Sequence, residues 1–142
     1  MPIMTDGAPA NGLVKLVLVS HSATIAQGVA ELAGQVAGSD VAVIAIGGTS
    51  DGSLGTDGGR VLEALKHASA GAGAVVLMDI GSSVLAVRAA LEELEPHVLD
   101  RLFVADAPLV EGAIAAAVTA SMGMPARDVA DAAEGARSAA KL

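Results

Sequence analysis

Four short aliphatic runs, each followed by a turn and then a helical stretch, constrain this chain more than any other feature of its sequence. The runs cover residues 14–19, 41–46, 74–78 and 102–105. They are nearly continuous instead of alternating, as expected of strands buried on both faces in a parallel sheet covered by helices. Helices are expected over about 24–37, 57–69, 84–95, 107–122 and 126–140. In the first, Ile25, Val29, Leu32 and Val36 recur at helical spacing and predict one buried stripe. Gly38 stops that helix, and Pro96 stops the one carrying Val84, Val87, Leu91 and Leu94. Right-handed crossovers with short connections then predict an α/β fold: a doubly wound, mostly parallel four-stranded sheet, order 2-1-3-4, with helices on both faces.

Composition narrows the function. One domain is expected over 13–142, after an N-terminal tail of residues 1–12 expected to be disordered, with neither the basic start nor the apolar core of a signal peptide. The core must be aliphatic, because Phe103 is the only aromatic residue. A net charge of −8 without a basic cluster argues against nucleic acid as a partner. The absence of cysteine excludes disulfides and thiolate metal sites and fits a cytoplasmic protein. No apolar run reaches the roughly 20 residues of a membrane helix. Neither a metal nor a cofactor is expected, since His67 and His97 stand without partners at ligand spacing and read as surface residues.

In the order 2-1-3-4 the first and third strands are neighbours, and the crevice between their C-terminal ends is where open α/β sheets bind ligands. His21 ends the first run and Asp79 the third, about 5 Å apart by strand spacing. With no cysteine, tyrosine or tryptophan in the chain, His21 is its best nucleophile. An Asp79 carboxylate bonded to one imidazole nitrogen would fix the tautomer and leave the other nitrogen reactive. Nearby helix N-termini would hold an incoming anion. The loop 47–59 holds six glycines and can offer backbone N–H groups to a phosphoryl group. It lacks the lysine of a G-x-x-x-x-G-K-[ST] loop, so nucleotide binding by that route is not expected. Within the loop Thr56 is the strongest candidate, because it sits near the start of the second helix. Ser82 and Ser83 read as helix caps, there being no G-x-S-x-G elbow.

Five motifs in order carry a resemblance over nearly the whole of 13–124: Val17-Leu18-Val19-Ser20-His21-Ser22, Gly28-Val29-Ala30-Glu31-Leu32-Ala33, Gly55-Thr56-Asp57, Met78-Asp79-Ile80-Gly81-Ser82 and Ala107-Pro108-Leu109-Val110-Glu111-Gly112. The chain resembles the phosphoryl-carrier (DhaM) subunits of phosphotransferase-system-dependent dihydroxyacetone kinases, within the wider mannose-type EIIA family. The resemblance implies that His21 takes a phosphoryl group from phospho-HPr, charged in turn by enzyme I, and passes it to ADP on the DhaL subunit. The ATP so formed would phosphorylate dihydroxyacetone on DhaK. Asp79 would orient His21, while Ser22, Gly48, Thr56 and Ser82 would cradle the phosphoryl oxygens. A homodimer is implied, with the alanine-rich C-terminal helices as one possible interface, and HPr and enzyme I would be separate proteins. Two other roles fit the same histidine: a mannose-type EIIA passing phosphate to a IIB sugar-transport subunit, and a non-catalytic regulatory module phosphorylated on His21.

Overall fold

The computed structural model describes residues 12–142, so the expected tail lies outside the described residues except for Gly12. Four strands, β1 (Lys15–Ser20), β2 (Val43–Gly47), β3 (Ala74–Met78) and β4 (Leu102–Val104), form one all-parallel sheet in the order β2-β1-β3-β4. The order is the expected one. Leu16 to Val19 of β1 and Val75 to Leu77 of β3 are fully buried, each strand feeding both layers. Leu16, Leu18, Val75 and Leu77 point to one layer, and Val17, Val19 and Val76 to the other. Burial on that scale contributes roughly 1.5–3 kcal/mol per aliphatic side chain.

Helices α1 (Ala23–Ala37), α5 (Leu109–Ser121) and α6 (Ala126–Gly135) cover the first face, and α2 (Gly58–Ala68) and α3 (Gly81–Glu92) the second. A single turn, α4 (Pro96–Leu99), precedes β4. Pro96 therefore begins this turn as well as ending the preceding stretch, as its fixed φ allows at a first helical position. The last helix ends at Gly135, earlier than its sequence suggests, and Ala136–Ser138 continue as a 3-10 turn.

The stripe expected on α1 is not the buried one. Ala26, Val29 and Ala33 face the core, whereas Ile25 (49 % exposed), Leu32 (43 %) and Val36 (45 %) stand on the flank. Alanines lie closer to the sheet than bulkier residues can, so the helix turns its small face inward by roughly a quarter turn. The same logic applies to α5, where Ala113, Ala116, Ala117 and Ala120 are fully buried.

Candidate functional site

The end of β1 delivers Ser20, His21 and Ser22 to the crevice between β1 and β3. Asp79 follows β3 by one residue and donates its N–H to the Val19 carbonyl (3.2 Å), which extends the ladder to the crevice. Its carboxylate collects four donors. Ser20 Oγ donates to Oδ2 at 2.5 Å, the His21 backbone N–H reaches both oxygens at 3.1 Å, and the Ile80 N–H (2.6 Å) and Ser83 Oγ (2.8 Å) donate to Oδ1. Burial works against ionisation of Asp79, yet the donors led by Ser20 outweigh it and hold the carboxyl below its ordinary value.

Here the expectation for Asp79 needs correction. The carboxylate holds the main chain of His21 and makes no hydrogen bond to the imidazole. The ring partner is Ser82, whose Oγ lies 2.6 Å from His21 Nδ1. Ser82 Oγ also lies 2.9 Å from Thr56 Oγ1, so a chain of three side chains runs from the glycine-rich loop through α3 to the ring. The reason is spacing: with its four donors in place Asp79 is anchored beneath the turn, while the first turn of α3 carries Ser82 up to the level of the ring. Neither serine caps α3. The cap residue is Ile80, with no side-chain bond, and Ser83 turns down to Asp79 and to the Ile80 carbonyl (2.7 Å). With Nδ1 engaged, Nε2 of the half-buried His21 has no hydrogen-bond partner among the described residues.

The remaining site residues fall around this arrangement. Ser22 caps α1, its Oγ accepting the Ile25 N–H at 3.2 Å, while its own N–H donates to Ser20 Oγ at 3.0 Å. Gly48 pairs with Thr56 in an isolated bridge that closes the loop, and the Gly55 N–H donates to the His21 carbonyl at 2.8 Å. At the loop tip, hydrogen bonds from Thr49 and then Ser53 lower the Asp51 pKa from 3.8 to about 2. Asp57, beside Thr56, caps α2 by accepting from the Gly59 and Arg60 N–H groups. His67 and His97 are exposed and away from the crevice, as expected.

Three contributors escape a reading of the sequence. Ser20 is fully buried and bridges Asp79 to the Ser22 N–H; its signal was a lone hydroxyl closing an otherwise aliphatic strand, next to the histidine. Ser83 had no signal that separated it from Ser82. Gly47 must lack a side chain, because a Cβ there would meet the Ser22 carbonyl oxygen at 2.4 Å. That contact shows how tightly β2 passes under the turn bearing His21.

Chemically, the arrangement presents a ring with one nitrogen bonded and one free, between the N-termini of α1 and α3, where first-turn N–H groups have no intrahelical partners. It suits a nucleophile for an anionic group. Among the described residues no three acidic, histidine or cysteine side chains cluster to hold a metal ion.

Comparison with known proteins points the same way. A family model described as "PTS system fructose IIA component" (EIIA-man) matches residues 15–130. The phosphoryl donor subunit DhaM of the PEP-dependent dihydroxyacetone kinase of Escherichia coli (strain K12) is 41 % identical over 114 residues, 78 % of this chain. The chain spans only 24 % of that relative's length. DhaM of the PEP-dependent dihydroxyacetone kinase 2 of Listeria innocua is 39 % identical over 106 residues, which cover 75 % of this chain and 85 % of the relative. Among solved structures, one described as a protein of unknown function superposes with a TM-score of 0.78 at 32 % identity, covering 92 % of this chain and 97 % of the other. The mannose/sorbose specific IIA subunit of Enterococcus faecalis covers 92 % of this chain and 96 % of its own, with a TM-score of 0.55 at 19 % identity, a likeness of fold.

Proposed function

The chain belongs to the mannose-type EIIA family of phosphotransferase-system components, and from that premise we propose that it is the phosphoryl-donor subunit of a PEP-dependent dihydroxyacetone kinase, carrying the group on His21. The observation that carries this reading is the ring geometry: Nδ1 is held by Ser82 while Nε2 has no hydrogen-bond partner among the described residues. A neutral imidazole with its proton on Nδ1 keeps the Nε2 lone pair for phosphorus.

In the first transfer the P–N bond of phospho-HPr breaks as a P–N bond to His21 Nε2 forms. In the second, that bond breaks as a β-phosphate oxygen of ADP on DhaL takes the group, giving the ATP that phosphorylates dihydroxyacetone with DhaK. Such transfers depend on positioning and charge stabilisation more than on covalent help from the protein. Asp79 acts on position, by fixing the His21 main chain through its N–H. The helix N-termini at Ser22 and Ser82, with Thr56 and Gly48 on the loop, receive the phosphoryl oxygens. Exposed Leu54 (70 %) and Ile80 (61 %), on the loop and turn flanking the histidine, suit docking of protein partners. No helix among the described residues is long and apolar enough to cross a membrane. On the family reading, not on that absence, we propose that the relay runs in the cytoplasm.

Chasing the phosphorylated chain with DhaL–ADP tests the acceptor. ATP should form, and dihydroxyacetone phosphate once DhaK is added. Retention of the label with DhaL–ADP, with rapid loss to a IIB sugar-transport subunit, would assign the chain to sugar uptake instead.

A further inference from the structure

The Ser82 hydroxyl is bonded differently from those around it. Ser20 donates to Asp79, Ser83 to Asp79 and the Ile80 carbonyl, and Thr49 to Asp51, so a carboxylate or carbonyl oxygen fixes the direction of each proton. Ser82 Oγ has no such acceptor. Its partners among the described residues are His21 Nδ1 at 2.6 Å and Thr56 Oγ1 at 2.9 Å, and both can donate or accept. The half-buried row Thr56–Ser82–His21 therefore has two possible directions. With the Ser82 proton on Thr56 Oγ1, Ser82 accepts from Nδ1–H and Nε2 keeps its lone pair. With the Ser82 proton directed at Nδ1, the ring proton lies on Nε2, and that nitrogen cannot attack phosphorus.

Thr56 decides between the two. Without its oxygen, Nδ1 is the one acceptor left to Ser82, and the unreactive tautomer follows. The residue is also held in place from both sides. Its main chain bridges to Gly48, the preceding Gly55 N–H donates to the His21 carbonyl at 2.8 Å, and the following Asp57 caps α2. Gly55 sits at φ 140, where a Cβ would meet Thr49 Cγ2 at 2.6 Å. Thr56 Oγ1 has no second partner among the described residues, so its own proton is free for water or an incoming phosphoryl oxygen. We propose that Thr56 is a positioning residue that acts through Ser82 to set the nucleophilic tautomer of His21. The proposal rests on the carrier reading and deepens it.

Through the transfer the ring proton stays where it is. The Nε2 lone pair becomes the new P–N bond as the donor's P–N bond breaks, and Nδ1 keeps its proton. Ser82 Oγ accepts that proton more strongly as the ring gains positive character. A phosphoryl oxygen that takes the free Thr56 proton pulls the row the same way, because Thr56 can then no longer donate to Ser82. The group in transit thus reinforces the tautomer it requires. A carboxylate on the ring would fix the direction by its charge alone. Here Asp79 is committed to the main chain and a hydroxyl holds the ring, so the far end of the row matters.

The test uses the full chain and reads the free protein first. In ¹⁵N NMR spectra of the neutral ring, wild type should carry its proton mainly on Nδ1 and Thr56→Val mainly on Nε2. Thr56→Ser, which restores a hydroxyl, should match wild type. On a Ser82→Ala background Thr56→Val should shift the tautomers no further, because the row is already cut. Uptake from phospho-HPr by Thr56→Val should slow by about fivefold at saturating donor, with the half-saturating concentration unchanged. Should circular dichroism show Thr56→Val unfolded, Thr56→Ala takes its place with the same expectations. A wild-type ring protonated on Nε2, a hydroxyl-free variant still protonated on Nδ1, or a shift that persists with Ser82→Ala would overturn the proposal. The spectra need no carrier proteins, so they decide the role of Thr56 by themselves. Failure of wild type to gain a phosphoryl group sinks the carrier reading alone.

Discussion

Around His21 two jobs often given to one residue are divided. Asp79 fixes the backbone and Ser82 fixes the ring, with Ser20 underneath joining Asp79 to the next turn. The division makes the two residues separable by mutation. Ser82→Ala should leave folding nearly intact, shift the imidazole tautomers in ¹⁵N NMR spectra, and slow phosphoryl uptake by roughly fivefold, the equivalent of one hydrogen bond of about 1 kcal/mol. Unchanged tautomers would return Ser82 to a structural role. Asp79→Asn should act on stability, with a defined pH dependence. A carboxyl whose folded pKa is lowered contributes stability that is present above its unfolded value near 3.9 and disappears as the pH falls through the folded value. The stability gap between wild type and Asp79→Asn in urea titrations should therefore be largest near neutrality and shrink in acid, below about pH 4. A gap that widens on acidification would mean that the donors do not favour the ionised form. Sequence alone marked both carbon-ends of the crevice, His21 and Asp79, because strand order determines which residues meet there. It did not reveal that the carboxylate reaches the main chain and the hydroxyl the ring, since a one-residue difference in height along a helix turn decides that.

At the scale of elements, close approach explains most of what periodicity missed. The helix α1 offers two faces that both look apolar, a bulky one with Ile25, Leu32 and Val36 and a small one with Ala26 and Ala33. Only the small one lets the backbone settle on β1. Counting hydrophobic residues cannot separate them; packing distance does. Gly47 belongs to the same class of effect. Gly47→Ala would drive a methyl against the Ser22 carbonyl, and the main chain on both sides is held by the sheet and the α1 cap, so relief must come from displacement. A loss of about 1–3 kcal/mol is expected in chemical denaturation, together with slower phosphoryl transfer as the His21 turn shifts. A variant of wild-type stability and activity would show that β2 is free to move away. By contrast β3, with its uninterrupted apolar run, lies where its sequence puts it, at Ala74–Met78.

For the whole molecule, order follows from connectivity. Alternating strands and helices with right-handed crossovers leave few arrangements, and the observed β2-β1-β3-β4 sheet is among them, so both the fold and the position of the crevice were legible. Cover was not, because it depends on which face the chain chooses after β4, and the two helices that follow share one face. Stability at this scale rests on the two aliphatic layers and little on surface charge. Lys141–Glu111, at 2.7 Å with both side chains substantially exposed, is screened by solvent and should contribute little, and Lys141→Ala should melt within experimental error of wild type. The central claim, that the crevice exists to load a phosphoryl group onto His21, is met most directly by intact-mass measurement after incubation with phosphoenolpyruvate, enzyme I and HPr. The account predicts an acid-labile gain of one phosphoryl group that is lost in His21→Ala. No gain with active carriers, or an equal gain in the variant, would contradict it.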